Sequence, residues 1–75
     1  MIDYHDLEYD VILVKEENVS LRLDKFLALH FPHCSRSLLQ NLIEEEYVFV
    51  NQKVEKRAYK VCLHDEIVIY FKKSE

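Results

Sequence analysis

The chain has 75 residues, a net charge of −4 and 49% apolar residues. That length holds one small domain with a marginal core, so nearly every large apolar side chain must be buried and little depth is left for a catalytic cleft. Disorder is excluded by the apolar content, no apolar run can span a bilayer, and the acidic start from Met1 to Asp10 lacks the basic-then-apolar plan of a signal peptide.

In chain order, Tyr9 to Val14 is β-rich and predicts a strand running into a polar turn at Lys15 to Asn18. Ser20 is the expected cap of a first helix, with Asp24 in its first turn. Leu23, Phe26, Leu27 and His30 share one face of that helix, and Pro32 stops it before Phe31. Ser35 caps a second helix, with Leu38, Leu39, Leu42 and Ile43 as its buried stripe and Arg36, Gln40 and Glu44 outward. For the acids Glu44 to Glu46 the sequence suggests a solvated turn. Tyr47 to Val50 is a strand, followed by a turn at Asn51-Gln52. Lys53 to Lys60 is a loop or edge strand. Val61, Cys62 and Leu63, with Cys62 packed in a strand, lead to a turn at His64-Asp65. Ile67 to Phe71 is the closing strand and Lys72 to Glu75 a frayed tail. The expected class is α+β: two helices on one face of a small, mainly antiparallel sheet, one domain over 1–75 with its core at about 12–71.

Glycine is absent, so positions needing positive φ fall to other residues; Asn51, His64 and Asp65 are the candidates. Cys34 and Cys62 match no zinc spacing and read as reduced thiols. Pro32 separates His30 from His33 and Cys34, so no metal is expected there. Nor is there a glycine-rich phosphate loop, a supported Ser/His/Asp set or a carboxylate pair in a plausible cleft. Cys34 adjoins His33, but adjacent side chains rarely point together. Binding, without cofactor or small-molecule substrate, is the expected class.

Charge says what is bound. Residues 1–19 hold six acids against Lys15, whereas 20–60 hold seven bases against five acids. Four of those bases, Lys53, Lys56, Arg57 and Lys60, lie in one short segment. The second helix begins with Arg36 between Ser35 and Ser37, and no acid follows in its first turn. A helix N-terminus favours anions, so this end gains from a phosphate. Arg22, Lys25, Arg36 and Gln40, with Ser35 and Ser37, form one expected surface; Lys53, Lys56, Arg57 and Lys60 form a second. No aromatic platform for single strands is expected, so the predicted partner is a structured RNA read by shape and backbone.

These residues also carry a resemblance. Arg22-Leu23-Asp24-Lys25-Phe26-Leu27, Phe31-Pro32, Ser35-Arg36-Ser37, Leu42-Ile43, Val48-Phe49-Val50-Asn51 and Asp65-Glu66-Ile67-Val68-Ile69 resemble, in order, the S-four RNA-binding domain. With Tyr59-Lys60-Val61, the series is most similar to the N-terminal domain of RluA/RluD-type ribosomal large-subunit pseudouridine synthases. The resemblance implies docking of structured, ribosomal RNA, with Arg22, Lys25, Ser35, Arg36, Gln40 and Lys53 at the contact; the cytoplasm is expected from the start of the chain, which does not read as a signal peptide. It also implies that isomerisation belongs to a separate catalytic domain absent from this chain. Asp24 is followed by Lys25-Phe26-Leu27, unlike the synthases' catalytic aspartate, and reads as a first-turn helix residue. The family has glycine where this chain has Glu46, Gln52 and His64, so remodelled turns are expected there. Two alternatives stay open at this point: a stand-alone small protein binding ribosomal or transfer RNA, and a protein-interaction module that has lost RNA affinity.

Overall fold

The computed structural model describes residues 3–72; the expected tail beyond Lys72 lies outside them. Four strands, β1 (Glu8–Leu13), β2 (Val48–Val50), β3 (Lys53–Val54) and β4 (Glu66–Phe71), form one sheet in the order β1-β4-β2-β3. Every pairing is antiparallel, with Val11 opposite Val68 and Phe49 opposite Val68. Two helices, α1 (Leu23–His30) and α2 (Arg36–Glu44), lie between β1 and β2 in sequence. The α+β class and the element order are as expected.

Strand alternation decides which side chains meet the helices. Val48, Val50, Ile67 and Ile69 point inward and pack with Leu23, Phe26, Leu27, Leu39, Leu42 and Ile43; all are at most 2% exposed. Two expected core residues fall elsewhere. Leu38 is 41% exposed because it occupies the first turn of α2, whose buried stripe starts one residue later. His30 is exposed at the end of α1, where its Nδ1 lies 3.1 Å from the Phe26 carbonyl.

The alternate face of the sheet stays open, and it is aromatic. Tyr9, Val11 and Leu13 on β1 are more than half exposed. The Tyr4 ring sits 4.6 Å from that of Tyr70 and 5.4 Å from that of Phe49, and Tyr9 lies 5.5 Å from Tyr70. The sequence does not reveal this cluster: Tyr9, Phe49 and Tyr70 come from three strands and Tyr4 from the segment before β1, and they meet only in the fold.

The turns keep positive φ without glycine. Ser20, Glu46, Asn51, Gln52 and His64 all have φ between 50° and 71°. Asp65 is not among them; Glu46, Gln52 and His64, where remodelled turns are expected, lie in the backbone region that glycine favours. Glu46 shows how such a turn is held. After α2, Tyr47 N–H donates to the Leu42 carbonyl at 2.8 Å and Glu46 N–H to that of Ile43 at 3.2 Å. This is the Schellman arrangement, whose left-handed residue is usually glycine. The neighbouring acids are paired as well: Glu44 with Arg57 at 3.6 Å and Glu45 with Lys72 at 2.6 Å. The acidic run is therefore a cap flanked by ion pairs, rather than a merely solvated turn. A Cβ in the left-handed region costs about 1 kcal/mol. Glu46→Gly is expected to raise stability by about that amount, read as a higher urea midpoint with unchanged slope.

Candidate nucleic-acid interface

The first turn of α1 leaves backbone N–H groups that need acceptors. Ser20 does not supply one; it stands outside the helix at φ 70°, its N–H bonded to the Val61 carbonyl at 2.8 Å. Arg22 takes the cap position without a side-chain cap. The carbonyls of the 55–61 loop serve instead: Leu23 N–H donates to Tyr59 at 2.7 Å and Asp24 N–H to Arg57 at 3.3 Å. An antiparallel bridge also joins Arg22 to Lys60. The helix end therefore seats the basic loop, and sequence-distant cations meet because a donor-rich end needed carbonyls.

Asp24 lies at the centre of this junction, 3% exposed. Its Oδ1 accepts Lys25 N–H at 2.8 Å, and its Oδ2 accepts Arg22 Nη2 and Gln40 Nε2, each at 3.2 Å. Gln40 Oε1 in turn accepts Arg57 Nη1 at 3.3 Å. A buried carboxylate is tolerated only when paired and hydrogen-bonded, and here both oxygens are engaged.

The start of α2 extends the surface. Ser35 Oγ accepts Leu38 N–H at 3.1 Å, so Ser35 is the cap expected from the sequence. Arg36 is the first helical residue, and no acid occupies that turn. Arg36 and Gln40 are one helical turn apart on the same side, and Ser35, Arg36 and Ser37 are all exposed.

The structure thus brings Arg22, Lys25, Gln40, Arg57 and Lys60 together, with Ser35, Arg36 and Ser37 along the adjoining helix. Lys53 and Lys56 take no part in the hydrogen bonds around Asp24. Lys53 is on edge strand β3, opposite Val50. Lys56 lines an open groove of about 850 Å³ with Ile43, Val54, Arg57 and Tyr59. Lys56 thus stays beside Arg57, and Lys53 lies on the sheet edge. Sequence reading placed Asp24 in the first turn but missed its partners, which no local spacing reveals.

A second buried carboxylate holds the far end of the loop. Asp65 accepts Tyr59 OH at 2.6 Å, Asn51 Nδ2 at 2.8 Å and Cys62 N–H at 2.9 Å. Cys62 is consequently exposed in a turn, not packed in a strand as expected. Burial pushes the Asp65 carboxyl up, but hydrogen bonds from Tyr59, Cys62 N–H and Asn51 outweigh it and hold the carboxyl below its ordinary range. The same bond, with burial second, drives the Tyr59 phenol well above its usual value. Among the described residues, no group of three or more His, Cys, Asp or Glu side chains could hold a metal ion. No helix there is long and apolar enough to cross a membrane.

Comparison with known proteins adds two findings. The family model described as S4 domain matches residues 21–67, from just before α1 into β4. The chain is also 34% identical over 67 residues to an uncharacterized RNA pseudouridine synthase of Aquifex aeolicus (strain VF5). That alignment takes in 88% of this chain and 21% of the relative, so the chain spans about a fifth of the relative's length.

The Asp65 network generates a pH signature. A depressed folded pKa adds stability that is complete above the unfolded value, about 3.9, and is lost as pH falls through the folded value. Urea midpoints should drop on acidification from neutral pH through this window, and Asp65→Asn should lower stability at neutral pH and flatten that part of the profile.

Proposed function

The chain belongs to the S4 domain family, and on that premise we propose that it is the RNA-docking domain of an RNA pseudouridine synthase. S4 domains bind RNA without catalysing its chemistry, so the RNA-binding role comes with the family. The finer reading is ours: an N-terminal domain that presents structured, ribosomal RNA in the cytoplasm to a separate catalytic domain elsewhere in the protein. The similar Aquifex synthase supports this, since most of its length lies outside the aligned region.

One observation carries the reading. Arg22 and Arg57, distant in sequence, are joined through Asp24 and Gln40, and Gln40 stands on a helix whose first turn contains arginine and no acid. Phosphates supply the negative charge this surface lacks. Arg22, Lys25, Arg36, Arg57 and Lys60 are the proposed phosphate contacts. Ser35 and Ser37 add hydroxyl donors at the helix end, and Gln40 lies within the same surface. Lys53 and Lys56 add further contacts from the edge strand and the groove beside Arg57. Net acidity does not oppose this, because six acids precede residue 20, whereas residues 20–60 hold more bases than acids.

RNA binding should be strongly salt-dependent. Arg36→Ala should reduce the slope of log affinity against log salt by about 1, because one fewer phosphate is neutralised. Arg36→Glu should weaken binding roughly tenfold or more, as expected for a charge-assisted bond worth about 1.5–3 kcal/mol. Titrating a bulged stem-loop RNA over a salt series, with amide spectra confirming the fold, tests both; wild-type affinity in the folded Arg36→Glu protein refutes this contact surface.

A further inference from the structure

A carboxylate accepts hydrogen bonds and never donates. The amide of Gln40 must therefore turn its NH₂ toward Asp24 Oδ2, 3.2 Å away, and its oxygen outward. On that outward side Oε1 meets Arg57 Nη1 at 3.3 Å. The polarity of one buried carboxylate thus passes from α1, across α2, to the basic loop. The same carboxylate holds Arg22 Nη2 at 3.2 Å without an intermediary.

Both arginines keep an exposed side: the Arg22 side chain is 51% exposed and that of Arg57 48%. They are held on one side and open on the other. A long side chain fixed before its partner arrives loses less rotamer freedom on binding. Glu44 Oε1 also faces Arg57 Nη1, at 3.6 Å, and draws the guanidinium toward the end of α2. Gln40 sets the opposing limit.

We propose that Asp24 and Gln40 are positioning residues of the RNA-docking face: Asp24 sets Arg22 directly and Arg57 through Gln40, and Gln40 serves binding by holding Arg57. The proposal rests on the reading of this face as an RNA contact. It gives Asp24 a function although the carboxylate is buried and touches no RNA. It also gives Gln40 a different role from that of the neighbouring cations, because its oxygen and one N–H are already committed.

Gln40→Met preserves length and removes both polar atoms, so it is the first test. Binding of a bulged stem-loop RNA is measured over a salt series for the wild type, Gln40→Met, Arg57→Ala and the double variant. The single Gln40→Met change should weaken binding roughly two- to tenfold, the equivalent of one freed side chain. In the Arg57→Ala background it should have no further effect. Without RNA, the Arg57 guanidinium proton resonances should be resolved in the wild type and averaged in Gln40→Met. Asp24→Asn, provided it folds, should disturb the side-chain resonances of both Arg22 and Arg57. Wild-type affinity in Gln40→Met, or full additivity with Arg57→Ala, overturns the proposal. If the wild type binds no RNA at any salt, it is the RNA reading that fails. The arginine resonances then decide the relay separately, and unchanged Arg57 signals in Gln40→Met overturn it.

Discussion

Strand β4 is paired on both sides, by β1 and β2, and the other elements take their places from that. It is the last strand in the chain and stands second in the sheet, so the domain closes only when residues beyond 65 insert between segments made much earlier. Its inward residues, Ile67 and Ile69, are fully buried beneath the helices, whereas Val68 and Tyr70 line the opposite face. A slip of one residue would exchange these sets, exposing two isoleucines and burying a phenol. Asp65 and Asn51 oppose such a slip. Asn51 Oδ1 accepts Glu66 N–H at 2.9 Å, and Asn51 N–H donates to the Glu66 carbonyl at 2.8 Å, tying the start of β4 to the end of β2.

Acids organise the basic surface. Asp24 and Asp65, the buried charged residues among those described, anchor opposite ends of the 55–61 loop, one through side chains of α1 and α2 and the other through Tyr59 and Cys62. Such groups contribute less by their net energy than by what they forbid: a loop in another position would strand a carboxylate among apolar side chains. This reconciles a chain with excess acid and a surface suited to phosphate. Asp24 is buried and Glu44 is paired with Arg57, while Arg22 and Arg57 remain half-open to solvent.

Local signals and long-range ones differ in legibility here. The second helix is plain in sequence because Ser35 and the Leu39-Leu42-Ile43 spacing lie close together, although the left-handed Glu46 that ends it carries no turn signal. The start of the first helix is not, because its donors are satisfied by carbonyls more than thirty residues away, leaving Ser20 as a false cap. Cys62 misled for a related reason: flanked by Val61 and Leu63 it reads as strand, yet Asp65 claims its N–H. The candidate basic residues were visible as types and positions. That Arg22 and Arg57 share one network through Asp24 and Gln40 depends on tertiary hydrogen bonds with no periodicity to detect.

The open sheet face has a spectroscopic consequence. The chain contains no tryptophan and five tyrosines, so tyrosine dominates its intrinsic ultraviolet emission. Tyr4, Tyr9, Tyr47 and Tyr70 are linked by ring contacts on or beside the sheet face away from the helices. Tyr59 alone belongs to the basic loop, with its hydroxyl on Asp65. The intrinsic optical signal is therefore weighted toward the sheet face away from the helices. Ligands settling on the helices reach it chiefly through Tyr59, whereas detachment of the segment around Tyr4 changes the surroundings of several emitters together.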